Sequence, residues 1–199
     1  MPSRGGPEIP SPPPRKDVIP LAGDPTNAWL SGDADVYVNF DPDTAVIPTD
    51  VTDPFDSEWE MIGLMNGSEG YTDSRDEDTE FLNAWGGRLV RVARKNFSTT
   101  RKFVALEDNE TVRRLVWPGS TDDVLVVPSG ARIERVKVAF ESIDGDRIKR
   151  LISYYEAEIT VDGDITENED SLAEYPLIAT IFGDGDGNLW HRQTTESGS

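Results

Sequence analysis

The residues whose spacing comes closest to a chemical motif form the run Asp184-Gly-Asp186-Gly-Asn188. Oxygen ligands at alternate positions begin a calcium-binding EF-hand loop, but that loop also needs glycine at its sixth position and a bidentate glutamate at its twelfth. Those two positions hold Leu189 and Thr195 in this chain. We therefore interpret the run as a glycine-rich hairpin turn and expect no metal site in it.

Nucleophilic catalysis would depend on a single residue, because the sequence contains one histidine, His191, and no cysteine. A Ser-His-Asp triad would have to use His191, which lies close to the end of the chain in a segment that is typical of an edge strand. The sequence has no G-x-S-x-G and no phosphate-binding glycine motif. We interpret His191 as a surface residue, and we expect the chain to have no cofactor and not to be an enzyme.

The sign of the charge changes along the chain, and no catalytic motif explains it. Residues 31–80 carry fifteen acidic residues and one basic residue, whereas residues 81–117 carry eight basic and three acidic residues. The net charge of −19 argues against specific binding of nucleic acid, because such a surface repels phosphates. No apolar segment is long enough for a membrane span or a signal peptide, so we expect a soluble protein made in the cytoplasm, without a membrane anchor.

The elements that position these residues are predicted to be mostly strands. Runs of β-branched and aromatic residues separated by turn signals predict strands at 34–40, 59–65, 88–94, 101–106, 132–142, 148–161, 177–182 and 188–192. One helix is predicted over residues 109–117, where Asp108 or Asn109 can cap the start and Pro118 ends it. The fold class that follows is mainly β, a β-sandwich or half-barrel with one flanking α-helix.

The segments outside these strands define the expected domain organisation. Residues 1–32 are rich in proline and predict an extended N-terminal arm. Residues 33–192 form the sandwich domain, within which residues 66–87 are expected to be a long acidic loop with a role in assembly. Residues 193–199 are expected to be a C-terminal tail.

The order of these segments resembles the major tail tube proteins, or major tail subunits, of long, non-contractile-tailed phages of the actinophage type. The resemblance covers about residues 33–192. The segments that carry it are Asp35–Val38, Thr44–Asp50, Glu58–Leu64, Glu69–Tyr71, the acidic run that follows, Leu82–Arg91, Thr100–Leu106, Glu110–Trp117 and Tyr175–Leu189.

The resemblance implies a structural protein of the virion that is assembled in the host cytoplasm. Its subunits would form hexameric rings that stack into the tail tube around the tape measure protein, with tail terminator and tail-tip proteins at the two ends. Double-stranded DNA would later leave through the tube without specific binding. An acidic wall suits that role, since it lets phosphates pass without retaining them.

Residues 83–92, NAWGGRLVRV, lie where the acidic and basic segments meet. Either Trp85 is an anchor in an interface between subunits, or it is a core residue beside a bulge formed by the two glycines. The opposite charges of residues 66–80 and 88–102 are also suited to pairing between subunits. The hypothesis assigns assembly contacts to Asp76, Glu77, Asp78, Trp85, Gly86, Gly87, Arg88, Arg91 and Arg94.

Two other classes of protein fit part of the sequence. Another ring-forming phage protein, such as a tail terminator or a head–tail connector, would use a related β fold but would form a single ring. A carbohydrate-binding β-sandwich would account for the five tryptophans. Trp59, which lies among acidic and apolar neighbours, is expected in the core instead.

Overall fold

The structure, a computed structural model, describes residues 28–120 and 129–195 of the 199-residue chain. Most of the predicted N-terminal arm and the last four residues lie outside these ranges. The described end of the arm lies along the body of the protein, because the backbone N–H of Leu30 donates to the Asp144 carboxylate at 3.2 Å. The Arg147 guanidinium donates to the carbonyl oxygen of Ala28 at 2.8 Å.

The described residues form nine strands and one helix, which confirms the predicted mainly β fold with a single helix. The elements are β1 (Asp33–Asn39), β2 (Glu60–Met61), β3 (Thr72–Asn83), β4 (Leu89–Ala105), α1 (Glu110–Val116), β5 (Arg135–Asp144), β6 (Arg147–Ser153), β7 (Ala157–Val161), β8 (Tyr175–Ile181) and β9 (Trp190–Thr194).

All the strand pairings are antiparallel, and β5 connects the two halves of the sheet. One half has the order β2-β1-β5-β6-β9, and the other has the order β5-β7-β8-β4-β3. β5 pairs with β6 through residues 139–144 and with β7 through Arg135 and Val136. β5 belongs to both halves, and buried side chains of both halves share one cluster, so the two halves pack against each other.

The main core lies between the two halves. Val38 and Phe140 come from the first half, Phe103 and Leu177 come from the second, and all four are buried in one cluster. β8 shows how the sequence encodes this face, because its burial alternates along the strand as a half-buried strand requires. Trp59 is buried in a smaller cluster with Ala139 and Ile152, which confirms its expected place in a core.

The helix forms as predicted, from Glu110 to Val116. Asn109 caps it, since its side-chain oxygen accepts a hydrogen bond from the N–H of Val112 at 2.9 Å. The amide nitrogen of the same side chain donates to the carbonyl oxygen of Ile62 at 2.7 Å. Asn109 therefore provides a hydrogen-bond acceptor for a free backbone N–H at the start of the helix, and it also links the helix to the segment after β2.

Replacing Asn109 with alanine is expected to lower the free energy of unfolding by about 1–2 kcal/mol, because the cap and the link to Ile62 are both lost. Urea denaturation of the two proteins measures the difference. Asp108→Ala serves as the control, since Asp108 makes only an exposed 3.7 Å ion pair with Arg113. Equal losses in the two variants would contradict the assignment of Asn109 as the cap.

Several predicted boundaries are wrong. Within the predicted strand 59–65 only Glu60–Met61 forms a strand, and Met65 makes an isolated bridge with Ala105. Gly63 lies between them with a φ of 93°, which takes the backbone out of the extended conformation. The predicted strand 148–161 is two strands, because residues 154–156 carry the chain from one half of the sheet to the other. The predicted strands 88–94 and 101–106 are both parts of β4.

The predicted acidic loop over residues 66–87 is also wrong. Residues 72–83 form β3, which pairs with β4 over most of its length. The backbone hydrogen bonds of this pairing, and the basic side chains of β4 opposite, outweigh the low strand propensity of the acidic residues.

The C-terminal tail begins later than predicted. Gln193 and Thr194 still belong to β9, where they pair with Arg150 and Lys149. The run at residues 184–188 is a turn but not a hairpin turn, because β9 pairs with β6 and not with β8.

Candidate assembly site

A long hairpin projects from the sheet. β3 pairs with β4 alone, and β4 contacts β8 only from Thr99 to Ala105. Residues 76–98, which we call the projecting hairpin, therefore have no third strand beside them in the described part of the chain. Ten residues of β4 separate Thr99 from the start of the strand at Leu89, which corresponds to about 30 Å.

The two glycines shape the turn at the tip of the projecting hairpin. The N–H of Gly87 donates to the carbonyl oxygen of Ala84 at 3.1 Å, and the N–H of Ala84 donates to that of Arg88 at 2.8 Å. Gly86 and Gly87 have φ values of 89° and 80°, in the left-handed region that favours glycine. Gly86 is the third residue of a four-residue turn, where a positive φ is typical of type II. The glycines thus form the turn, and a register shift in the pairing of β3 with β4 lies beside it, between Leu82 and Asn83.

A further bulge occurs at Asn96. Glu77 lies opposite both Asn96 and Phe97, since Asp76 pairs with Ser98 and Asp78 with Lys95. Asn96 has a φ of 52°, a left-handed conformation that asparagine tolerates better than most residues. Its side-chain amide donates to the Asp78 carboxylate at 2.7 Å. Bulges bend a strand and increase its twist, so this feature sets the direction in which the hairpin projects.

The tip carries Trp85, whose side chain is fully exposed, with a relative exposure of 104%. The reading of Trp85 as a core residue is therefore wrong. Its role in an interface stays a prediction, for which a fully exposed tryptophan is the expected starting state.

The projecting hairpin exposes apolar side chains on both of its faces. Phe81 lies directly opposite Val92 and is 63% exposed. The exposed large apolar side chains of the hairpin are Phe81, Leu82, Trp85, Leu89, Val90, Val92 and Phe97. Sequence reasoning did not identify this set, although the alternation of apolar and basic residues after Gly87 was a signal for it.

The acidic and basic segments lie side by side in one chain. Lys95 pairs with Glu80 at 2.5 Å, and Arg101 lies 3.4 Å from the Asp73 carboxylate. Part of the charge complementarity that the sequence suggested between subunits is thus used within one hairpin. An exposed ion pair such as Lys95–Glu80 contributes at most about 1 kcal/mol to stability. Pairing with a second copy stays a prediction for Arg88 and Arg91.

All nine predicted assembly residues lie on the projecting hairpin. Trp85, Gly86, Gly87 and Arg88 form the tip, and Asp76 and Asp78 are exposed on β3, with Glu77 half-buried between them. Arg91 is exposed on β4. The backbone of Arg94 pairs with Thr79, but its side chain lies outside what the structure describes.

A cavity of about 450 Å³, which was not predicted from the sequence, lies at the base of the same hairpin. Tyr71 and Arg101 line it. The Arg101 guanidinium lies between the rings of Tyr71 and Phe140, at 4.6 Å and 4.8 Å from their centroids. The side chain is 95% buried, with a relative exposure of 5%. We call this the Arg101 cavity.

Two of the three guanidinium nitrogens of Arg101 lack hydrogen-bond partners among the described residues. Among the described residues none bonds to its Nε or Nη1 atom, although Asp73 is near enough for an ion pair. Burial lowers the pKa of Arg101, because desolvation disfavours the charged form. Burial also raises the pKa of Tyr71, whose hydroxyl lies 2.9 Å from the carbonyl oxygen of Asp35. A buried cation without its full set of acceptors marks a site that an acceptor from outside can complete.

Asp184 and His191, the two residues that the sequence analysis considered for metal binding and catalysis, both have structural roles. The Asp184 carboxylate accepts hydrogen bonds from the backbone of Asp186 and Asn188 and from the Asn188 side chain, at 2.8–2.9 Å. These hydrogen bonds lower the pKa of Asp184, and the bond from the Asn188 side chain contributes most. The ring of His191 stacks on Tyr154 at 4.2 Å, and burial, with a smaller contribution from Lys137, lowers its pKa.

Within residues 28–120 and 129–195, no three or more acidic or histidine side chains are grouped so that they could hold a metal ion. The single helix of these residues is too short to cross a membrane.

Comparison with protein-family models and with curated proteins finds no match to this sequence. The geometry of the hairpin and the resemblance of the segments are therefore the basis for a function.

Proposed function

We propose that the chain is a tail tube protein of a long, non-contractile-tailed phage. Its copies assemble into hexameric rings that stack into a tube around the tape measure protein, and double-stranded DNA later passes through the acidic lumen. The protein is located in the tail of the virion. The observation that carries the proposal is the projecting hairpin, which exposes a tryptophan at its tip and apolar side chains along its length.

An isolated two-stranded hairpin is at best marginally stable in water. The projecting hairpin has seven large apolar side chains in solvent, whereas a surface of a monomeric protein usually shows such residues singly. Burying each side chain of this size stabilises a complex by about 1.5–3 kcal/mol. A partner that covers the hairpin would therefore supply the packing that the monomer lacks.

The unpaired edges of the hairpin suit the same role. Among the described residues, no second strand pairs with β3 beside β4, and no second strand pairs with β4 before Thr99. Free edges pair with strands of other chains, which is how sheets extend across subunits. The acidic side chains of β3 oppose indiscriminate pairing, so a defined neighbour is favoured over aggregation.

The charge of the chain supports a conduit for DNA. A protein with a net charge of −19 offers phosphates no general attraction. Residues 76–98 contain four acidic and four basic residues, and Lys95 is already paired with Glu80. The hairpin therefore does not form a separate basic surface that would retain DNA.

Replacing Arg88, Arg91 and Arg94 together with glutamate is expected to block tube formation. The substitutions put like charges where the proposed contact needs opposite ones, and juxtaposed like charges cost an interface several kcal/mol. Electron microscopy and sedimentation of the purified protein measure assembly, and circular dichroism checks that the monomer is folded.

The matched control reverses Arg113, Arg132 and Arg192, which are outside the hairpin and give the same change of net charge. Tubes are expected from the control. Normal tubes from the hairpin variant would overturn the assembly role of these residues.

Electron microscopy also distinguishes the proposed tail tube function from the alternative functions. A tail terminator or a head–tail connector would also use an exposed hairpin within its ring, but the rings would remain single. A carbohydrate-binding protein would remain monomeric and would bind to a glycan array.

A further inference from the structure

The tip of the projecting hairpin and the Arg101 cavity have complementary surfaces on one molecule. We propose that the Arg101 cavity is the receptor for the Trp85 tip of a second copy of this chain. The inference rests on the proposed function, and it specifies which two surfaces meet. No partner of any other kind is needed to account for either surface.

The size and polarity of the two surfaces agree. The cavity of about 450 Å³ is larger than one indole side chain, which buries 150–250 Å² when it is enclosed. Its exposed lining includes the apolar side chains of Met61 and Leu64, which is 67% exposed. An indole between these side chains would remove three exposed apolar groups from water in one contact.

The charges at the rim agree as well. The lining of the cavity includes three carboxylates and two cations, and Asp33 is the most exposed of the carboxylates; the charged residues are Asp33, Asp35, Glu107, Arg101 and Lys149. Arg88 is the charged residue of the tip turn, three positions after Trp85. Inserting the tip therefore brings a basic side chain towards an acidic one at the mouth of the cavity, where a pair of opposite charges favours one orientation.

The buried guanidinium gives the cavity a second point of recognition. The Nε and Nη1 atoms of Arg101 lack hydrogen-bond acceptors among the described residues. The peptide carbonyl groups of a tight turn are acceptors of this class. A turn that enters the cavity would add acceptors beside this cation, which already lies 3.4 Å from the Asp73 carboxylate.

The contact must form between copies. The cavity lies at the base of the hairpin, where Tyr71 and Arg101 are located, and the tip lies about 30 Å away along the strands. A tip that meets a different surface on the next copy makes a head-to-tail contact. Contacts of this type close into rings or continue as stacks, and they do not stop at a symmetric dimer.

Disulfide cross-linking tests the contact directly, because the chain has no cysteine of its own. Ala84→Cys places a thiol beside Trp85 without removing it, and Leu64→Cys places one in the cavity. The two variants are prepared separately, mixed and oxidised under mild conditions, and the products are separated on a non-reducing gel. The expected result is a dimer that contains one copy of each variant.

Val46→Cys replaces Leu64→Cys in the control, since Val46 is 64% exposed and does not line the cavity. We call the disulfide-linked dimer of Ala84→Cys and Leu64→Cys the 84–64 dimer, and that of Ala84→Cys and Val46→Cys the 84–46 dimer. The expected yield of the 84–64 dimer is at least ten times that of the 84–46 dimer. Equal yields, or no 84–64 dimer, would overturn the proposal.

The outcomes separate this inference from the proposed function. Tubes without the 84–64 dimer would overturn the receptor role of the cavity and leave the tail tube function standing. The 84–64 dimer without tubes would leave the contact standing and overturn the function. Absence of both the 84–64 dimer and the tubes would overturn both proposals.

Native mass spectrometry tests whether the cavity instead holds a small molecule. A molecule that is bound to the wild-type monomer and absent from Leu64→Lys would assign the cavity to that ligand and overturn the receptor role.

Discussion

Replacing Trp85 with alanine is expected to abolish tube assembly at protein concentrations where the wild type assembles, and to leave the monomer folded. Trp85 is fully exposed, so the variant should change the free energy of unfolding by no more than about 0.5 kcal/mol. In the assembled tube the same side chain would be buried at the centre of a contact. Tryptophans in that position typically contribute at least about 2 kcal/mol, or about thirty-fold in affinity.

Light scattering against protein concentration measures the loss of assembly, and urea denaturation of the dilute monomer measures stability. Leu172→Ala is the control, because Leu172 is also exposed but lies outside the hairpin. Both quantities are expected to be unchanged in the control. Tubes from Trp85→Ala at the wild-type concentration would contradict an interface role for Trp85, and an unfolded monomer would contradict its exposure.

Replacing Phe140 with alanine is expected to have the largest effect on the monomer, a loss of about 3–5 kcal/mol in the free energy of unfolding. Phe140 is 1% exposed. Its ring packs edge-on against the rings of Tyr71, Phe103 and Trp190, with centroids 5.3–6.0 Å apart. A domain of this size has about 5–15 kcal/mol of stability, so the variant should melt at least about 6 °C lower.

The matched control is Phe81→Ala, which removes the same side chain from an exposed face of the projecting hairpin. The expected change in unfolding free energy is below about 0.5 kcal/mol, because little area is buried there in the monomer. Thermal unfolding followed by circular dichroism compares the two. A similar loss of stability in both variants would show that the hairpin packs on the body of the protein.

Elements with local signals could be predicted from the sequence. The cap at Asn109 and the stop at Pro118 define the helix within a few residues, and the alternation of Val136, Val138 and Phe140 defines the core face of β5. The turn at Gly145 joins β5 to β6 as the Asp-Gly signal predicts. In each case the residues that determine the structure are within about ten positions of each other.

Non-local pairing explains what sequence reasoning missed. Residues 72–83 have the composition of a loop, and they form a strand because they pair with β4, which includes basic residues, from the other side of the turn. The Arg101 cavity combines residues from β1, from the segment before β3 and from β4. No short window of sequence contains those segments together, so the cavity could be found only in the structure.

The most direct test of the central claim is negative-stain electron microscopy of the purified wild-type protein over a range of concentrations. Head-to-tail contacts through the projecting hairpin predict hollow tubes of stacked rings, whose length increases with protein concentration. Single rings that never stack, or monomers at every concentration, would contradict the assignment of this chain to a tail tube.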